Sequence, residues 1–251
     1  MTLLAGVLLA TVVAAVAAQS NISFSGAQGM IYSPNYPDNY PNQLNQKYTI
    51  TVDAGYYIYL TFYDFETEAC CDILYIWDSD TQTGTPFANV SGTATGMTLS
   101  SKGRYMTLLF STDITGSARG FAIHYEMVLA NTQYVEPNAC ESGLLTASSG
   151  FVTSPQWPAN YPNEISCSYL ISMPKGSRVM LTFVAFATEA CCDKVEIYDG
   201  PNTNSNKLAE LSGAGLANTT FYSTQQSMYL VFYSDYTQND KGFSAFYMQV
   251  T

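Results

Sequence analysis

Thr67-Glu68-Ala69-Cys70-Cys71-Asp72 recurs letter for letter, 121 positions on, as Thr188-Glu189-Ala190-Cys191-Cys192-Asp193. The same offset carries Ser33-Pro34-Asn35-Tyr36-Pro37-Asp38-Asn39-Tyr40-Pro41-Asn42 onto Ser154-Pro155-Gln156-Trp157-Pro158-Ala159-Asn160-Tyr161-Pro162-Asn163. Further along, Phe110-Ser111-Thr112-Asp113 with Gly120-Phe121 corresponds to Tyr233-Ser234-Asp235 with Gly242-Phe243, the offset having grown by one loop residue. A repeat of this length is far too long for a solenoid, so the chain reads as two complete copies of one domain.

Within each copy the apolar period is two, the signature of strands with one face buried. Ile58, Leu60 and Phe62 share one face while Tyr57, Tyr59 and Thr61 share the other, and Val179, Leu181 and Phe183 repeat the inward set. Further strands are expected at Lys47–Val52, Ile73–Trp77, Tyr105–Phe110 and Gly120–Met127, with counterparts at Val195–Tyr198, Met228–Tyr233 and Gly242–Val250. Aromatic and β-branched residues dominate them. Pro, Asn and Gly clusters separate them at short intervals. No sustained helical stripe occurs after the N-terminal segment. The fold class is therefore all-β, two tandem antiparallel sandwiches.

The first eighteen residues are uncharged, with an apolar run from Leu3 to Ala14 and small residues at Ala15, Ala17 and Ala18. They read as a cleaved secretory signal rather than a membrane span. The expected organisation is a signal peptide at 1–18, a first domain at 19–129, a linker at 130–139 and a second domain at 140–251. The net charge of −11 with only 9 Lys and Arg argues against nucleic acid and against anionic membrane surfaces. It favours divalent cations or cationic partners, although surplus carboxylates also serve solubility alone.

Three signatures in order, twice over, resemble the CUB domain: S-P-N-Y-P-x-x-Y-P, then T-E-x-x-x-D-x-x-x-I-Y-D-G, then F-x-S-D with G-F-x-x-x-Y. The second copy fits better, with Ile197-Tyr198-Asp199-Gly200, Ser234-Asp235 and Tyr247, whereas the first reads Trp77-Asp78-Ser79 and Thr112-Asp113. The resemblance implies a jelly-roll-like sandwich and an extracellular recognition role.

It also implies a bridge between Cys140 and Cys167, the first disulfide of that family. The first copy has no equivalent pair, Lys47 standing roughly where Cys167 does. Cys70-Cys71 and Cys191-Cys192 have no family partner. Each repeat carries its own even pair, so vicinal disulfides are favoured, with free thiols or bridges between chains as alternatives. Zinc is disfavoured because there is no C-x₂-C spacing and the sole histidine is His124.

Calcium needs six to eight oxygen ligands gathered from loops. The ligands implied by the resemblance are Glu68, Asp72 and Asp113 in the first copy and Glu189, Asp193 and Asp235 in the second, with Asp64 or Glu66 as substitutes for Glu68. Carboxylate valence left over would accept a Lys or Arg of a partner. Asn21, Asn89 and Asn218 open N-glycosylation sequons, the last two in expected loops. Tyr57, Tyr59 and Tyr63 either offer a binding face or simply cover the outside of a sheet, and the second is preferred. No catalytic constellation is found: His124 lies mid-strand, and neither H-E-x-x-H nor G-x-S-x-G occurs.

The expected function is a secreted, non-enzymatic adaptor that binds an extracellular protein with exposed Lys or Arg through calcium-ordered loops. Two alternatives are a lectin-like or host-defence protein that binds glycans, and a matrix component cross-linked through its Cys-Cys pairs.

Overall fold

The computed structural model describes residues 20–130, 132, 140 and 143–251. The expected signal segment, and nearly all of the expected linker, lie outside these residues. The first domain contains β1 (Ser20–Ser25), β2 (Gln28–Tyr32), β3 (Asn45–Thr51), β4 (Tyr56–Glu66), β5 (Ile73–Trp77), β6 (Ala88–Val90), β7 (Thr98–Ser100), β8 (Tyr105–Ser111) and β9 (Gly120–Leu129). The second repeats them as β10 (Gly143–Leu145), β11 (Ser149–Thr153), β12 (Ser166–Ser172), β13 (Arg178–Ala187), β14 (Lys194–Asp199), β15 (Asn206–Leu211), β16 (Thr220–Tyr222), β17 (Ser227–Tyr233) and β18 (Gly242–Val250).

Each domain is a sandwich of a five-stranded and a four-stranded sheet. The orders are β1-β3-β8-β5-β6 over β2-β9-β4-β7, and β10-β12-β17-β14-β15 over β11-β18-β13-β16. All pairings are antiparallel except β1 with β3 and β10 with β12. The edge strands β1, β2, β6, β7 and their copies, three to six residues each, lie outside the strands expected from apolar alternation.

Alternation explains the core. Ile58, Leu60 and Phe62 point inward from β4, and the register against β9 then shifts between Phe62 and Asp64. This bulge turns Phe65 inward as well, and the same shift in β13 between Phe183 and Ala185 turns Phe186 inward. Phe62, Phe65, Phe110 and Phe121 form one aromatic cluster, and Phe183, Phe186, Phe232 and Phe243 rebuild it in the second domain. Each fully buried Phe contributes roughly 1.5–3 kcal/mol over an exposed one. Bulges also re-aim the residues beyond them, and both strands run directly into the repeated hexapeptide.

The Ser-Pro motif ties the first turn to the last strand. Phe121 N donates to Ser33 Oγ at 2.9 Å and Phe243 N donates to Ser154 Oγ at 3.0 Å. Such close approach needs a glycine beside it. Gly242 has φ of +81°, and an added Cβ there would meet Ser154 Oγ at 1.9 Å. Gly242→Ala is therefore expected to destabilise the second domain by roughly 2–3 kcal/mol, combining left-handed strain with a lost hydrogen bond. Urea denaturation checks this, and an unchanged midpoint would show that the turn relaxes freely.

Register corrects one alignment. Cys167 pairs with Phe232 as Gln46 pairs with Phe110, so Gln46, not Lys47, stands where Cys167 does. Gln46 is buried too, and its Nε2 donates to Lys47 O at 3.0 Å. A buried amide thus occupies the place of the buried disulfide sulfur.

The outer faces of the four-stranded sheets meet. Tyr63 stacks on His124 and lies edge-on to Phe151 of the second domain, while Tyr36 lies edge-on to Phe246. Ser244 Oγ donates to Tyr63 O at 3.2 Å, and Arg119 Nη1 donates to Asn218 Oδ1 at 3.1 Å. Tyr63 therefore does more than cover a solvent face. Burial beside these rings pushes His124 down to about 4, which keeps it neutral at physiological pH.

Candidate functional site: a duplicated carboxylate cluster

The repeated hexapeptide forms the loop between β13 and β14, and its copy the loop between β4 and β5. Thr188 begins the turn, its Oγ1 donating to Asp193 O at 3.1 Å and accepting from Gly213 N at 3.0 Å. Thr67 does the same with Asp72 O and Gly92 N at 3.0 and 3.1 Å. The loop is thus closed on itself and stitched to the strand opposite. Cys191 is bonded to Cys192 and Cys70 to Cys71, so a covalent ring sits between the glutamate and the aspartate of each loop. Cys140 is bonded to Cys167. No free cysteine remains.

Asp193 has no exposed surface. Its Oδ2 accepts from Tyr161 OH at 2.7 Å and its Oδ1 accepts from Asp235 N at 2.8 Å. Tyr161 OH in turn accepts from Glu189 N at 3.0 Å. Asp72 repeats the pattern, accepting from Tyr40 OH at 2.6 Å and Asp113 N at 2.9 Å, with Glu68 N donating to Tyr40 OH at 3.0 Å. One buried tyrosine and one buried carboxylate therefore hold three loops together in each domain. Burial and the aspartate bond both push the Tyr40 and Tyr161 hydroxyls upward, so they remain donors.

The result is a convergence of charge. One oxygen each from Glu68, Asp72 and Asp113 lies within 4.8 Å of the others, and so do oxygens of Glu189, Asp193 and Asp235. Thr237 N and Oγ1 donate to Asp235 Oδ1 at 2.8 and 3.0 Å, and Thr115 N donates to Asp113 Oδ1 at 2.8 Å. The glutamates differ. Glu68 Oε2 and Glu189 Oε2 are shut off from solvent yet have no hydrogen-bond partner. Desolvation first, and then the neighbouring aspartate charges, raise both glutamates above their ordinary value. A buried, unpartnered carboxylate oxygen beside two more carboxylates is an arrangement that a cation or a proton relieves.

Asp64 and Glu66, the substitute ligands, belong to a different cluster. Arg119 Nε and Nη2 grip the Asp64 carboxylate at 2.7 and 2.9 Å, and Arg119 Nη1 bonds Glu66. Tyr36 OH and Thr95 Oγ1 donate to Asp64 at 2.9 and 3.2 Å. Asp64 is fully buried and fully engaged, and Glu66 is paired with the same guanidinium.

Sequence reasoning passed over Tyr40 and Tyr161, although both stand in the repeated Asn-Tyr-Pro of the first motif. It also put Asn89 in a loop. Asn89 lies exposed on the edge strand β6, Asn21 lies exposed on the edge strand β1, and Asn218 is exposed in a turn. Among the described residues no helix is long and apolar enough to cross a membrane.

A family profile, that of the CUB domain, matches residues 20–125 and again residues 140–247. The chain belongs to the CUB family. Cubilin of Canis lupus familiaris is 31% identical over 231 residues, covering 88% of this chain but 6% of cubilin. Human Tolloid-like protein 1 is 28% identical over 230 residues, covering 88% of this chain and 22% of that protein. This tandem CUB chain thus spans a small part of the curated relatives it matches. Among solved structures, the CUB1-EGF-CUB2 domain of human MASP-1/3 aligns over 90% of this chain and all of that one, at 23% identity and a TM-score of 0.41. The MASP-1 CUB2 domain bound to Ca²⁺ covers 44% of this chain and 99% of that one, at 26% identity and a TM-score of 0.39.

Proposed function

We propose that this tandem CUB chain is a secreted, non-enzymatic recognition protein whose loop ends hold calcium and, once ordered by it, bind an extracellular protein partner through exposed Lys or Arg. The observation that carries the reading is the pair of unpartnered buried oxygens, Glu68 Oε2 and Glu189 Oε2, each facing two aspartates. Glu68, Asp72 and Asp113 would hold one ion, and Glu189, Asp193 and Asp235 the other. Oxygen-only donor sets of this kind suit a hard cation. Calcium would supply charge neutralisation and loop order, not a reaction step. Duplication of the cluster in both domains fits repeated binding better than catalysis.

The matrix alternative loses its chemistry, because all six cysteines are bonded within the chain. A glycan array run with and without calcium separates a protein-binding adaptor from a lectin.

Calorimetric titration of calcium tests the proposal directly. Two sites are expected, with dissociation constants on the order of 10⁻⁴ to 10⁻³ M, as in other extracellular modules. Glu68→Gln and Glu189→Gln are each expected to leave a single site, since neither removes a hydrogen bond that the fold uses. Absence of binding by the parent protein would overturn the calcium reading.

A further inference from the structure

A cleft of about 250 Å³ opens beside the second cluster, lined by Glu164, Tyr233, Asp235 and Tyr236 among others. Its walls are fixed. Glu164 N donates to Asp235 O at 2.7 Å, Ser234 N donates to Ile165 O at 3.0 Å, and Ile165 N donates to Ser234 Oγ at 3.2 Å. The side chains on this rigid frame are left open. Tyr236 is 75% exposed and Tyr233 is 46% exposed, and neither ring has a stacking partner among the described residues. The Glu164 carboxylate makes no ion pair or hydrogen bond among the described residues.

The first domain supplies an internal control. Its backbone is stitched in the same way, with Gln43 N donating to Asp113 O at 2.6 Å and Thr112 N to Leu44 O at 3.0 Å. At the same places, however, it carries Gln43, Ser111 and Ile114 where the second domain has Glu164, Tyr233 and Tyr236. One frame has thus been given a neutral lining in one copy, and a carboxylate with two aromatic rings in the other. Two exposed tyrosines beside two carboxylates suit a cation that is also flat: a guanidinium stacks on aromatic faces and bonds carboxylates through its edge.

We propose that this cleft seats an arginine side chain of the protein partner, giving the second domain a specificity subsite that the first lacks. The proposal rests on the recognition role proposed above. It adds Glu164, Tyr233 and Tyr236, which lie outside the carboxylate clusters, and it shares only Asp235 with them. Among the described residues, none of the chain's own Lys or Arg lines the cleft.

The test is NMR titration of the tyrosine-labelled mature protein with Nα-acetyl-arginine methylamide. Nα-acetyl-lysine methylamide and a methyl glycoside are run in parallel, each in calcium and in chelator. Saturable shifts of the Tyr233 and Tyr236 rings are expected with the arginine probe in both media, weaker with lysine and absent with the glycoside. The triple variant Glu164→Gln, Tyr233→Ser, Tyr236→Ile takes the residues that the first domain already folds with. It is expected to lose about tenfold or more in arginine affinity while its calorimetric calcium binding is unchanged. Arginine shifts that are absent, that survive in the triple variant, or that are exceeded by the glycoside would overturn the subsite. Absence of arginine binding by the parent protein, with its calcium binding intact, refutes the cleft alone. Arginine binding without any calcium binding refutes the calcium reading alone.

Discussion

Arg119→Met is expected to destabilise the first domain by about 3–5 kcal/mol, because it strands the buried Asp64 carboxylate without its counter-ion. Asp64 has no exposed surface, and the guanidinium meets it with two hydrogen bonds while also pairing with Glu66. Tyr36 and Thr95 would still donate to Asp64, but two neutral donors do not replace a charge in a site closed to water. The second domain shows how the same position is built without a buried ion pair. Ala185 stands at Asp64, Ala187 at Glu66 and Lys241 at Arg119. Asp64→Ala combined with Arg119→Lys is therefore expected to recover stability to within about 1–2 kcal/mol of the parent, since removing a buried pair together costs far less than breaking it. Urea denaturation of the three proteins checks both expectations. A single variant within about 1 kcal/mol of the parent would mean that water reaches Asp64 and solvates it.

How far the chain could be read before folding follows from particular residues. The cores were legible because Ile58, Leu60 and Phe62, like Val179, Leu181 and Phe183, alternate without interruption. Their continuation was not, since a bulge adds one residue and reverses the facing of everything after it; nothing in Phe62-Tyr63-Asp64-Phe65 announces that step. The Asp64–Arg119 pair was hidden for the same reason, its partners standing 55 positions apart in the sequence. The carboxylate clusters were legible only through the resemblance. Periodicity brings Asp193 and Asp235 to the same end of neighbouring strands, but nothing local selects Glu189 over its neighbours. What selects it is Tyr161, whose hydroxyl accepts from the Glu189 amide and donates to Asp193 at once. The contact between the sheet faces was invisible, because Tyr63 on an alternating strand reads the same whether water or a second domain lies above it.

Calcium is expected to raise the thermal midpoint of both domains at pH 7.4, and this gain is expected to vanish as the pH falls towards 4. In the metal-free protein Glu68 and Glu189 are held above their ordinary value by desolvation, with the adjacent aspartates adding to it. A glutamate whose folded value is raised contributes stability that is fully present below its unfolded value of 4.5 and is lost as the pH rises through the folded value. In chelator, therefore, these two residues weaken the fold on going from acid to neutral pH. Calcium reverses the sign by taking the place of the proton. At 10 mM, with a dissociation constant between about 10⁻⁴ and 10⁻³ M, it adds roughly 1.4–2.7 kcal/mol per site. Below the raised glutamate value each ion must displace a proton, and its affinity falls by up to about tenfold per pH unit. Glu68→Gln and Glu189→Gln sharpen the test because they act in opposite directions in the two media. Each removes one like charge from its cluster, so in chelator at pH 7.4 each variant is expected to be more stable than the parent. In calcium the mutated site no longer gains, and the order reverses. A glutamine variant that is less stable than the parent in chelator would mean that the glutamate carboxylate makes a stabilising contact there, contrary to the unpartnered oxygen on which the calcium assignment stands.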